Sequence, residues 1–218
     1  MALADYIGKY WVGAEIMYGV IIAMTFTSVL RGYPVIFEHM LYNTIVAALL
    51  CCIAWGIADG LFYFWERNYI IRRENRIIQS SKSARQDESA IPLIEEQLDD
   101  TILRNIPREN RLQLYEKLTE YLSGVDTREK LSWHEAVTII LGTFIRSAGA
   151  GLIVVTPFFV LHNVEQALIL SNVLGIFLLF GVGYFRALDR NFFSKVIFGF
   201  GSSFIGIIIA VITIVSGG

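Results

Sequence analysis

The sequence predicts an all-α membrane protein: five transmembrane helices, with a small helical insertion in the cytoplasm between helices 2 and 3. Three observations carry this. The 218 residues are 55% hydrophobic and only 17% charged, and the mean hydropathy is +0.54, more apolar surface than a water-soluble domain of this size needs. Five stretches reach the about 20 apolar residues that cross about 30 Å of hydrocarbon. The charges concentrate in one place: residues 66–135 hold 12 of the 18 Lys and Arg and 14 of the 20 Asp and Glu. The expected organisation is 1–65 for helices 1 and 2, 66–135 for the insertion and 136–218 for helices 3 to 5.

The five stretches are 10–30, 43–65, 136–161, 167–186 and 196–216. The first is too long for a cleavable signal peptide, contains Glu15 and has no small-residue cleavage site after it. Basic residues set the orientation. Lys9, Arg67, Arg72, Arg73, Arg76, Arg128, Lys130, Arg186, Arg190 and Lys195 all flank the side that carries the polar stretch, and the opposite side has Arg31. The N-terminus and residues 66–135 are therefore expected in the cytoplasm, and the C-terminus outside or in a lumen.

Within the polar stretch, Ile70, Ile71, Ile77 and Ile78 recur at helical spacing and continue helix 2. "SSKSARQDESA" reads as a flexible break. "IPLIEEQLDDTILRNI" and "PRENRLQLYEKLTEYLSG" then read as two amphipathic helices, with Pro92 and Pro107 at their starts and Gly124 past the second. Leu112, Tyr115, Leu118 and Leu122 form the apolar stripe of the second. Ser132 and Glu135 stand at capping-box spacing before the third apolar stretch.

Three charges interrupt the apolar stretches: Glu15, Asp59 and Arg146. A charge at the bilayer centre costs about 2.5–3.5 kcal/mol on insertion scales, so such residues mark a function or a tightly paired lock. Counted from Lys9, Arg67 and Glu135, Glu15 lies about 9 Å deep, Asp59 about 12 Å and Arg146 about 16 Å. Two readings stand. In one, Arg146 pairs with Glu15 or Asp59 and locks three helices together. In the other, the carboxylates exchange protons for a cation.

Small residues point to close helix packing. Gly56 and Gly60 flank Asp59 in a Gly-x-x-x-Gly arrangement, a face expected to meet another helix or its own symmetry mate, and Gly199, Ser203, Gly206 and Ala210 line one face of helix 5. Cys51 and Cys52 are adjacent and read as small packing residues, since helical neighbours point about 100° apart. His39, His134 and His162 sit in or beside loops, with no His-x-x-x-His or Cys-x-x-Cys spacing, so neither zinc nor haem is supported. No phosphate loop and no nucleophile–base pair argues for an enzyme. The net charge of −2 suggests no nucleic-acid partner, and no cofactor is expected.

Several motifs carry a resemblance. "GIADGLFYFWERNY" resembles the second transmembrane helix of the vacuolar iron transporter family, and "VGAEIMYGVIIAMT" is similar to its first. "GAGLIVVTPFFV" resembles its Gly-rich third span, and "GVGYFRA" before a small-residue fifth helix also fits. The layout of spans matches over nearly the whole chain. The resemblance implies a homodimer in lipid that exchanges a divalent cation such as Fe²⁺ or Mn²⁺ for protons. It implies a path formed mainly by helices 1 and 2, with Glu15 or its neighbours standing for the acidic ligand of helix 1 and Asp59 for the polar position of helix 2. The family's methionine of helix 2 falls on Tyr63, its small residue at the exit falls on Glu66, and Met17 and Met24 lie on helix 1. Arg146 shares the path. The family's insertion binds metal through spaced glutamates. Here Glu95, Glu96, Asp99 and Asp100 offer i,i+4 pairs suited to a hard cation, as do Glu116 and Glu120, against the alternative of a solvated acidic face. Further readings are a transport-inactive protein of the same fold serving as an interaction or structural module, and a carrier or pore for another solute.

Overall fold

The structure, a computed structural model, describes residues 3–33, 35–83, 90–98, 101–187 and 190–215, and no strand occurs among them. The helices are α1 (Leu3–Ile7), α2 (Lys9–Val29), α3 (Glu38–Ser83), α4 (Ala90–Leu98), α5 (Arg108–Leu122), α6 (Trp133–Val155), α7 (Pro157–Val160), α8 (Val164–Arg186) and α9 (Phe192–Val215). Five of them, α2, α3, α6, α8 and α9, are long and apolar enough to cross a membrane. Contacts divide the chain into two units, one of Met1–Phe64 with Trp133–Gly218 and one of Trp65–Ser132.

Local chemistry explains the boundaries. Gly8 separates α1 from α2 at φ 84°, a backbone region that a side chain would strain. At the far end of α2, a 3₁₀ turn runs over Leu30–Gly32. α3 has 46 residues, about 69 Å at the helical rise, twice what hydrocarbon requires. It continues through Ser83, so the expected break is shorter at its start, and residues 84–89 lie outside the described residues. The third apolar stretch, expected as one helix over 136–161, stops at Val155. Pro157 brings no N–H to the ladder and opens the separate turn α7. Asn163 caps α8, its Oδ1 accepting from the Gln166 N–H at 3.1 Å, and Asn191 serves α9 in the same way at 2.9 Å to Ser194.

In the apolar unit, α2 packs against α6, α8 and α9. Its core gathers Val20, Ala23, Met24, Cys52, Val154 and Leu179. Glycine seams let the backbones approach. A Cβ on Gly56 would lie 2.8 Å from the Phe144 Cα, and one on Gly60 would lie 2.6 Å from the Ile140 Cα. The Gly56/Gly60 face therefore meets α6 of the same chain, not a symmetry mate. Gly19 abuts the Ser147 carbonyl as closely. Two hydrogen bonds cross these seams: Ser147 Oγ donates to the Cys52 carbonyl at 2.9 Å, and Cys52 Sγ donates to the Gly19 carbonyl at 3.4 Å. Cys51 and Cys52 are both free thiols. On α9, Gly199 faces Phe180, Gly206 faces Leu179, and Ser203 Oγ donates to the Ile176 carbonyl at 3.3 Å, so the small-residue face serves α8.

In the polar unit, Ile77, Ile94 and Tyr115 form a core ringed by Leu112, Leu118 and Leu122. The stripe read from the sequence is the buried face of α5. The helix expected over 91–106 is interrupted. Thr101 is extended, at ψ −179°, and its hydroxyl caps a 3₁₀ turn at Ile102–Asn105. The segment returning from α5 is held along α3 by asparagines. Asn75 exchanges two bonds with the Arg128 backbone, at 2.7 and 2.8 Å, and Asn68 accepts from Leu131 N at 3.0 Å.

Candidate functional site: a buried carboxylate between two helices

The site grows out of the glycine seams. Glu15 lies one turn before Gly19 on α2, so it turns toward the same packed side. Tyr63 lies one turn beyond Gly60 on α3, the face drawn in by Gly56 and Gly60. The Tyr63 hydroxyl donates to Glu15 Oε1 at 2.8 Å. Glu15 is fully buried, at 0% exposure, and its Oε2 has no hydrogen-bond partner among the described residues.

Two stripes frame this pair. On α2 they are Trp11, Glu15 and Tyr18; on α3 they are Trp55, Asp59 and Tyr63. Trp11 packs on Tyr63 with ring centroids 6.2 Å apart, and Tyr18 meets Trp55 edge-on at 5.8 Å. Trp55 stands one helical turn before the half-buried Asp59 on the same stripe of α3. Aromatic rings thus bracket the two acids.

Asp59 and Arg146 both lie within electrostatic range of Glu15. The closed lock does not form as a direct bridge: Arg146 Nη1 donates to the Gly142 carbonyl of its own helix at 2.9 Å. Arg146 acts on Glu15 through space.

The other expected residues lie elsewhere. Met17 Sδ accepts from Arg186 Nη1 at 3.5 Å, and Met24 is buried in the core against Gly175, so neither sulfur is presented to Glu15. Glu66 is exposed and belongs to the polar unit. Glu95 bonds Arg108 at 3.3 Å, and Glu96 lies 3.9 Å from Arg73. Glu116 and Glu120 are exposed, and Asp99 and Asp100 lie outside the described residues. No group of three or more His, Cys, Asp or Glu able to hold a metal occurs among the described residues.

One basic residue was missed as part of the helix packing. Arg186, half-buried, lies over the Tyr10 ring at 5.6 Å and borders a groove of about 440 Å³ with Gly13, Ile16 and Phe177. The signal was Gly13, whose Cβ would meet the Arg186 Cδ at 2.9 Å.

Fold and site together define a helical protein with five helices long enough to cross a membrane and a carboxylate pair bracketed by aromatic rings within that apolar unit. No protein-family model matches the chain, and no curated protein matches it.

Proposed function

We propose that the chain carries a divalent cation across a membrane in exchange for protons, with Glu15 as the exchanging group. One observation carries this: a fully buried carboxyl group with one oxygen held by Tyr63 and the other without a partner among the described residues. A buried polar atom left unpaired is costly, and an unpaired buried charge more so. A proton or a cation would each satisfy Oε2, and they exclude one another there. Competition of two occupants for one oxygen is the elementary chemistry of antiport. Asp59, electrostatically coupled to Glu15 from the facing stripe, is a second carboxylate of the hard oxygen type that Mn²⁺ or Fe²⁺ accepts.

The vacuolar iron transporter resemblance supports the substrate class, a homodimeric assembly and a path along α2 and α3. The distribution of Lys and Arg supports a cytoplasmic N-terminus and a cytoplasmic polar unit. A second reading, a transport-inactive module of the same architecture, is favoured by Arg146, whose positive charge within range of Glu15 opposes a cation.

The full chain reconstituted in liposomes separates the two. External Mn²⁺ or Fe²⁺ should drive proton efflux, read by an internal pH dye. Glu15→Gln should abolish it and Asp59→Asn should weaken it. Folded protein with no metal-dependent proton movement supports the inactive module. Proton movement without divalent metal points to another solute. Undiminished exchange in Glu15→Gln removes the site.

A further inference from the structure

The polar unit contains an arginine groove that the transport reading leaves unused. Tyr69, the pair Arg72 and Arg73, and the pair Arg76 and Ile77 recur three and four residues apart, so they share one face of α3. Across from them, α4 contributes Leu93 and Glu96, and the groove encloses about 370 Å³. Three guanidiniums thus converge on a pocket that contains one carboxylate.

The charges there are unbalanced. Among the described residues Arg73 pairs with Glu96 alone, at 3.9 Å and with the glutamate side chain 74% exposed, a pair that water and salt readily loosen. Arg72 and Arg76 are exposed and have no ion pair or hydrogen bond among the described residues. Among the described residues, Glu74 is committed to Arg128 at 3.1 Å and Glu95 to Arg108 at 3.3 Å. Ile77 and Leu93 belong to the apolar cluster of the unit and make the floor firm.

We propose that this groove binds a phosphate monoester. Planar guanidiniums match phosphate oxygens in bidentate pairs, and several of them together select a doubly charged group over a diester. The first of these arginines lies five residues past Arg67, the first cation after the apolar stretch, where an acidic lipid headgroup is within the reach of such side chains. Glu96 is the intramolecular stand-in that the phosphate displaces.

Native mass spectrometry of the full chain in detergent, offered equimolar phosphatidic acid and phosphatidylcholine, tests this. The wild type should retain phosphatidic acid preferentially. The double variant Arg72→Gln/Arg76→Gln should lose the preference, and Glu96→Gln should strengthen it. Exposed cations elsewhere provide the control: Arg104→Gln/Lys117→Gln should leave the preference intact. Inorganic phosphate that displaces the lipid makes a soluble phosphate a sufficient source, and phosphate that does not displace it assigns the lipid. Both results uphold the groove. Equal retention of the two lipids by wild type overturns the proposal. So does a preference that survives in the double arginine variant, or one lost equally in the control pair. Circular dichroism of each variant confirms that the helices persist.

Discussion

Glu15 and the acids of the polar unit are chemically alike and have opposite surroundings. Glu95, Glu96 and Glu74 each have an arginine at their disposal and water beside them. Glu15 has a tyrosine hydroxyl, no water-facing surface and one idle oxygen. The difference teaches where an acid can work. An exposed ion pair contributes little and responds little to its neighbours. A buried carboxyl group amplifies every nearby charge and every missing partner. The exposed face of α5 that holds Glu116 and Glu120 creates no such demand.

The strongest way to break the contrast is to remove the packing that buries Glu15. Gly60→Leu would drive a side chain into the Ile140 backbone, where even a Cβ has only 2.6 Å. Thermal unfolding in detergent should show a loss at or above the upper end of the about 1–3 kcal/mol typical of overpacking. An unchanged melting temperature would mean that α3 and α6 are not in this register. Next comes Tyr63→Phe, which strips from a buried acid its only hydrogen-bond donor among the described residues and should destabilise by about 1–3 kcal/mol. Glu15→Gln should cost less, because the amide keeps an acceptor for Tyr63 and sheds the charge. The order of these two melting temperatures is the measurement; a reversed order would show that Tyr63 is not the partner that matters. Ser147→Ala should lower stability by about 1 kcal/mol, through loss of its bond to the Cys52 carbonyl. Glu116→Gln, at an exposed position, should leave the melting curve unchanged. A large shift there would place a hidden partner on α5 and dissolve the contrast.

Much of this was legible in the residues. The five long apolar helices follow from hydropathy, which sums over neighbours along the chain and needs no tertiary partner. Glu15 and Asp59 stood out because a charge in an apolar run is rare for a reason of solvation. The stripe of Leu112, Tyr115, Leu118 and Leu122 reported the buried face of α5 for the same local reason. The end of α6 at Val155 was also written in the sequence, in Pro157, but hydropathy outweighed it because apolar residues continue to Leu161.

Other features had no local signature. Asn75 and Asn68 read as surface polar residues until Arg128 and Leu131 come back along α3 to use them. The Gly56/Gly60 face announced close packing without naming α6 as the partner, since a small-residue face is complementary to many surfaces. Arg146 looked able to reach either acid, yet it bonds the carbonyl of Gly142 one turn away, a choice set by rotamer and helix rotation.

By itself the sequence determined which segments are apolar enough to enter a bilayer and which acids enter with them, because burial preference is a property of each side chain and its near neighbours. Only the tertiary structure decided that Tyr63, 48 residues from Glu15, would be its hydrogen-bond donor. That pairing depends on how α2 and α3 are rotated against α6, and rotation is set by backbone-to-backbone contact at Gly19, Gly56 and Gly60, which no count of residues along the chain contains.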